Sequence, residues 1–153
     1  MNAILFDWDG TLADTLGAMY DANVAVMARL GLPFDEERYR HSITSDWRVM
    51  YARLGVPIER IDEANEHWWA IVDQDDAALF PGVREALDRL AAAGHPLGLV
   101  TAGLSHRVGA QLRRHGLEGM FGSIVYGDDL FAGNLPVHKP DPAPLRRALA
   151  ELD

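Results

Sequence analysis

Asp7 and Asp9 stand one residue apart at the end of the apolar run Ala3, Ile4, Leu5 and Phe6, in the stretch AILFDWDGTLADT that spans residues 3–15. A continuous apolar run of this kind reads as a fully buried parallel strand, and carboxylates at its end are costly unless they are paired or hold a cation. Two other reactive groups fall in corresponding places. Thr101 closes the run 97–101, and Lys139, the chain's single lysine, sits on the connection that follows the run 123–126. Ligands of open parallel sheets bind beyond the carboxyl ends of the strands, so these four residues are expected in one crevice. Two acids, a hydroxyl and an ammonium together suit a phosphoryl group beside a divalent cation, which neutralises carboxylates and phosphate at once. A solvated turn with a helix cap is the plainer reading of the two acids. A buried strand ending in two unpaired acids weighs against it.

The elements that must position these groups follow from periodicity and punctuation. Leu16, Met19, Tyr20, Met27 and Leu30 recur at helical spacing, with Asp14 or Thr15 as N-cap and Gly31 as stop. The pattern stays helical but broken through 33–76, where Pro33, Gly55 and Pro57 interrupt it and Trp68 and Trp69 read as core of a helical module. After Phe80, Pro81 and Gly82 the rhythm alternates: a helix ending at Gly94, a strand at 97–101, a helix at 105–115 closed by Gly116, and a strand at 123–126. A Gly- and Pro-rich connection, GDDLFAGNLPVHKPDPAPL, then leads into a last helix at 142–152. Such alternation predicts an α/β fold, a Rossmann-like parallel sheet core built from residues 1–14 and 79–153, with residues 15–78 inserted as an α-helical cap. Asp128 and Asp129 follow the third strand, about 10 Å from the first, so they read as a solvated loop or helix start rather than metal ligands. Trp8 stays open between core packing and a pocket wall.

At this point a resemblance applies. DWDGTLADT resembles the first signature of the haloacid dehalogenase-like superfamily, Asp-x-Asp-Gly-Thr; LVTAG resembles its second, a strand ending in Thr or Ser; HKPDP resembles its third, a lysine followed by proline. Order and spacing are similar to the phosphoglycolate-phosphatase-like branch, whose helical cap follows the first signature. The resemblance implies that Asp7 is a nucleophile forming an aspartyl-phosphate, and that Asp9 protonates the leaving oxygen and then deprotonates water. It implies magnesium held by Asp7 and by the backbone carbonyl of Asp9. Gly10 would let the chain turn sharply at the phosphate, beside the amide of Trp8; Thr101 and the Ala102 amide would hold phosphate oxygens, and Lys139 would offset the charge around Asp7. Dehalogenases expel halide, which needs no proton, so Asp9 favours phosphoryl transfer. The loop HSITSDWRV, 41–49, falls where this branch contacts the rest of its substrate, making Ser42, Thr44, Ser45, Asp46 and Arg48 specificity candidates.

The implied activity is magnesium-dependent hydrolysis of a small phosphomonoester such as phosphoglycolate or a sugar phosphate. A sugar-phosphate mutase on the same core is the second reading, and a non-catalytic subunit the third. Relatives continue past the last helix with a strand carrying a fourth, acidic signature, whereas this chain stops at LRRALAELD. It is therefore expected to be a C-terminally truncated piece, with residues 3–6 left as an apolar edge open to self-association.

Bulk properties narrow the classes further. A formal net charge of -9 argues against the broad basic surface of nucleic-acid binding proteins. With 48% hydrophobic and 24% charged residues the chain has a globular balance, which argues against dominant disorder. It contains no cysteine, its start carries no basic region before the apolar run, and no stretch reaches membrane-spanning length, all compatible with a cytoplasmic protein and no membrane partner.

Overall fold

Three parallel strands, β1 (Ile4–Phe6), β2 (Leu97–Val100) and β3 (Ser123–Val125), lie side by side in the order β1-β2-β3. This is the α/β parallel sheet that the alternation predicts. The structure is a computed structural model that describes residues 2–73, 76–132, 135–137 and 139–153. Phe6 pairs with Leu99 and Val100 with Val125, a register that brings Asp7, Thr101 and Tyr126 to the same end of the sheet. Ile4 and Phe6 are half-buried on an edge strand, and Phe6 meets Phe121 edge-on with ring centroids 6.4 Å apart.

Alternation along β2 divides the packing between two faces. Leu97 and Leu99 join Leu87 of α5 (Val83–Ala92) and Val108 and Leu112 of α6 (Ser105–Arg114) in the main core. Val100 faces the other way, with Leu5, Val125 and Ala148 of α7 (Ala143–Leu152). Gly98 shares that second face, where a Cβ would stand 2.6 Å from Leu5 Cδ2 and 3.0 Å from Leu152 Cδ1. The absence of a side chain there lets α7 settle on the sheet. Ser123 Oγ donates to Glu151 Oε2 at 2.7 Å, fastening the end of α7 to β3.

The described residues divide into two compact units, one formed by residues 1–15 and 76–153 and the other by residues 16–75. The second unit is helical: α1 (Leu16–Arg29), α2 (Glu36–Ser42), α3 (Trp47–Leu54), a 3-10 turn at Ile58–Arg60, and α4 (Ile61–Val72). Val26, Met27, Tyr51, Leu54, Ile61 and Ala64 make its core, with Trp68 packed against them and Trp69 edge-on to Trp68. Asp35 and Asp46 cap α2 and α3 by accepting hydrogen bonds from backbone amides. Gly31 ends α1 with φ of 69°, as its position predicts, while the amides of Gly31 and Leu32 bond back to Ala28 and Met27.

Two local expectations need correction. Neither Asp14 nor Thr15 supplies a cap hydrogen bond to α1 among the described residues: Asp14 uses its amide to bond Ala78, and Thr15 Oγ1 is buried without a partner. The connection 127–145, read from the sequence only as a Gly- and Pro-rich link into the last helix, carries a short antiparallel ribbon of β4 (Phe131–Ala132) and β5 (Leu135–Pro136).

Candidate active site

The chain turns tightly as it leaves β1. The carbonyl of Trp8 accepts from the amides of Thr11, Leu12 and Ala13 at 3.2, 3.0 and 3.0 Å, and Gly10, with φ of 72°, donates to Ala13 O at 2.9 Å. A φ of that sign strains any residue with a Cβ, so glycine is the natural occupant. The indole of Trp8 is fully buried and its Nε1 donates to Gln111 Oε1 at 2.7 Å. That settles Trp8 as core.

Each acid has its own cation. Lys139 Nζ stands 2.8 Å from Asp7 Oδ1 and donates to the carbonyl of Val100 at 3.1 Å. Asp7 Oδ1 also accepts from the Trp8 amide at 2.8 Å, so this amide is already engaged by the neighbouring carboxylate. Asp9 Oδ2 accepts from Arg107 Nη2 at 2.7 Å, and the Arg107 side chain is only 3% exposed. Asp9 Oδ1 is buried with no partner among the described residues. Asp7 and Asp9 are thus balanced by Lys139 and Arg107, which removes the electrostatic liability at the end of β1.

The loop after β2 is held from three directions. Thr101 donates its amide to Val125 O at 3.0 Å, Thr101 Oγ1 accepts from the Gly103 amide at 2.9 Å, and Gly103 O accepts from the Gly127 amide at 2.9 Å. The Ala102 amide stays outside this network. Gly127 permits the close approach, since a Cβ there would fall 2.2 Å from Ala102 O. Asp7, Asp9, Thr101, Ala102 and Lys139 therefore collect at one end of the sheet, joined through Lys139 to the end of β2 and through Gly103 to Asp9, whose Oδ2 lies 3.2 Å from the Cβ that Gly103 lacks.

Asp128 and Asp129 have structural work. Asp128 accepts from the amide and hydroxyl of Ser105 at 2.8 and 2.7 Å, closing the start of α6, and Asp129 accepts from the Tyr126 amide at 2.8 Å. Burial, followed by the charge of Asp129, raises the Tyr126 phenol above its ordinary value. The specificity candidates belong to the helical unit. There Thr44 Oγ1 accepts from the Asp46 amide at 3.5 Å, Ser45 lies between them, and Arg48 stacks on Trp47 at 4.1 Å while its Nη2 stands 3.5 Å from Asp62.

Arg107 is the site residue that the sequence pattern did not single out. Arg107 and Gln111 are buried polar residues four apart on the face of α6 that also carries Val108 and Leu112. One turn of one helix thereby holds both Trp8, through Gln111, and Asp9, through Arg107. Two polar residues at helical spacing on an apolar face were the available signal.

A divalent cation can be tested against the donors present. No group of three or more His, Cys, Asp or Glu side chains that could hold a metal occurs among the described residues. Magnesium does not require one, because it keeps several waters and takes one or two carboxylates with substrate phosphate. Asp7 offers a carboxylate, and none of the turn's backbone hydrogen bonds ends on the Asp9 carbonyl. These hard oxygen donors fit magnesium. No helix among the described residues is long and apolar enough to cross a membrane.

Comparisons with known proteins place the whole chain in one family. A phosphoglycolate phosphatase of Yersinia pestis is 30% identical over 169 residues, an alignment covering 99% of this chain and 68% of that protein. A phosphorylated carbohydrates phosphatase of Thermotoga maritima is 32% identical over 155 residues, covering 93% of this chain and 66% of its own length. Among solved structures, a CbbY variant from Rhodobacter sphaeroides in complex with xylulose-1,5-bisphosphate superposes with a TM-score of 0.73 at 31% identity, covering all of this chain and 73% of that one. The family model for haloacid dehalogenase-like hydrolases matches residues 4–153. The chain belongs to the haloacid dehalogenase-like hydrolase family, and its kinship there is with phosphatases.

Proposed function

We propose that the protein is a phosphatase that hydrolyses a small phosphomonoester through an aspartyl-phosphate on Asp7. The observation that carries this reading is the contact of Lys139 Nζ with Asp7 Oδ1 at 2.8 Å, beside a second acid and a loop whose Ala102 amide is not engaged by the backbone of the described residues. Oδ1 of Asp7 is held by Lys139 and the Trp8 amide, so Oδ2 is the oxygen that attacks phosphorus. The ester P–O bond breaks as the Asp7–phosphorus bond forms, and Asp9, entering the step protonated on Oδ1 with Oδ2 on Arg107, gives that proton to the departing oxygen. Water then attacks the same phosphorus while the Asp9 carboxylate takes its proton, the Asp7–phosphorus bond breaks, and phosphate leaves. Thr101 Oγ and the Ala102 amide hold phosphate oxygens during both steps, and Lys139 stabilises the charge gathered there. Magnesium, when bound by the Asp7 carboxylate and the Asp9 carbonyl, supplies further neutralisation of the phosphoryl charge.

The names of the relatives support a substrate among small phosphorylated acids and sugars. In this reading residues 16–75 are the cap, and Thr44, Ser45 and Arg48 read the part of the substrate beyond phosphate. Phosphate release from an aryl phosphate with magnesium tests the activity: the wild type releases phosphate, and Asp7→Asn falls to background with an unchanged circular dichroism spectrum. Equal release by the two proteins overturns the assignment. Isomerisation of a sugar phosphate without release supports a mutase instead.

A further inference from the structure

We infer that Arg107 is the positioning residue for Asp9, fixing one carboxylate oxygen so that the other serves proton transfer. This rests on the reading of Asp9 as acid and base. Arg107 reaches from α6 with its side chain 3% exposed, and its Nη2 donates to Asp9 Oδ2 at 2.7 Å. Its Nε is buried without a partner. A guanidinium so enclosed keeps the Asp9 carboxylate, because separation would leave a buried charge uncompensated. Asp9 is therefore tethered rather than free to rotate.

The tether leaves the two oxygens of Asp9 unequal. Oδ2 is committed to Arg107, while Oδ1 is buried and without a partner among the described residues, and an unsatisfied buried acceptor in a site of this kind marks a position for a proton or a ligand donor. Gly103 makes the arrangement possible. A Cβ on Gly103 would lie 2.9 Å from Arg107 Nη2, 3.2 Å from Asp9 Oδ2 and 2.6 Å from Val108 Cγ2, so the bare backbone of the loop gives the ion pair its room. The loop proposed to hold phosphate and the acid proposed to protonate the leaving group are thus set by one contact.

The test compares kcat/KM for an alkyl phosphate, whose leaving oxygen needs a proton, with that for nitrophenyl phosphate, whose leaving group does not. Since kcat/KM reports the transfer to Asp7, the later role of Asp9 with water does not enter. Arg107→Met is expected to lower the alkyl value by about 100-fold and the aryl value by far less, and Arg107→Lys to recover part of the loss. Added to Asp9→Asn, Arg107→Met is expected to lower the alkyl value no further, because both act through one group. Equal losses on both esters, or losses that multiply in the double variant, overturn the inference. Should Arg107→Met fail to fold, Arg107→Lys carries the comparison, and an unchanged alkyl-to-aryl ratio there overturns it. If Asp9→Asn itself keeps the wild-type alkyl value, the acid assignment fails, and the role of Arg107 with it. If Asp9→Asn loses it and the Arg107 variants do not, Arg107 alone is wrongly assigned.

Discussion

Lys139 Nζ lies 2.8 Å from Asp7 Oδ1 and 3.1 Å from the carbonyl of Val100, so one ammonium joins the ends of β1 and β2. The contact spans 132 residues of sequence, the difference between 139 and 7. It also places positive charge against the proposed nucleophile.

Removing that charge is expected to cost catalysis more than folding. Lys139→Met should lower kcat for phosphate release by about 100-fold to 1,000-fold, the range for a lost electrostatic partner of a transition state. Lys139→Arg should not restore it, since a planar fork cannot meet Asp7 Oδ1 and Val100 O as a compact ammonium does. Steady-state kinetics with a urea unfolding curve for each variant separates the two effects.

Gln111 is expected to matter for stability through Trp8. Gln111→Leu leaves the buried indole N–H without its acceptor and should cost about 1–3 kcal/mol. Trp8→Phe in the same background removes the stranded donor, so the double variant should be less destabilised than the sum of the singles. Urea denaturation of the four proteins gives the coupling.

The fold, and the end of the sheet at which the candidate residues gather, were legible because both are written locally. The apolar run before Asp7, the glycine stops at Gly31 and Gly116 and the alternation after Phe80 each depend on near neighbours. Arg107 was not legible in that way. Its partner is 98 residues distant, and a basic residue in a short helix with Arg113 and Arg114 reads as solvent-facing until packing shows which face is buried. Thr15 misled for the converse reason: a threonine before a helix suggests a cap, yet its Oγ1 is buried without a partner. The β4–β5 ribbon was hidden by length, since two-residue strands carry no period to detect.

Gly127 is expected to tolerate no side chain. In Gly127→Ala the new Cβ would fall 2.2 Å from Ala102 O and 2.8 Å from Ala102 C, both backbone atoms, so the loop 101–103 must move. We expect a loss of about 1–3 kcal/mol in stability, as for overpacking of a close contact, together with weaker product inhibition by inorganic phosphate. Gly119→Ala, where nothing lies within 4 Å, is the control and should change stability by no more than about 0.5 kcal/mol. Thermal unfolding and inhibition by phosphate give both readings.

The central claim is that Asp7 carries the phosphoryl group. An acyl phosphate is reduced by borohydride whereas a free carboxylate is not, so quenching the protein with borohydride during turnover of a phosphomonoester, followed by peptide mass mapping, reads the labelled residue directly. The account predicts conversion at Asp7 alone, absent without substrate and absent in Asp7→Asn. Turnover that leaves Asp7 unreduced while another carboxylate is converted would contradict it.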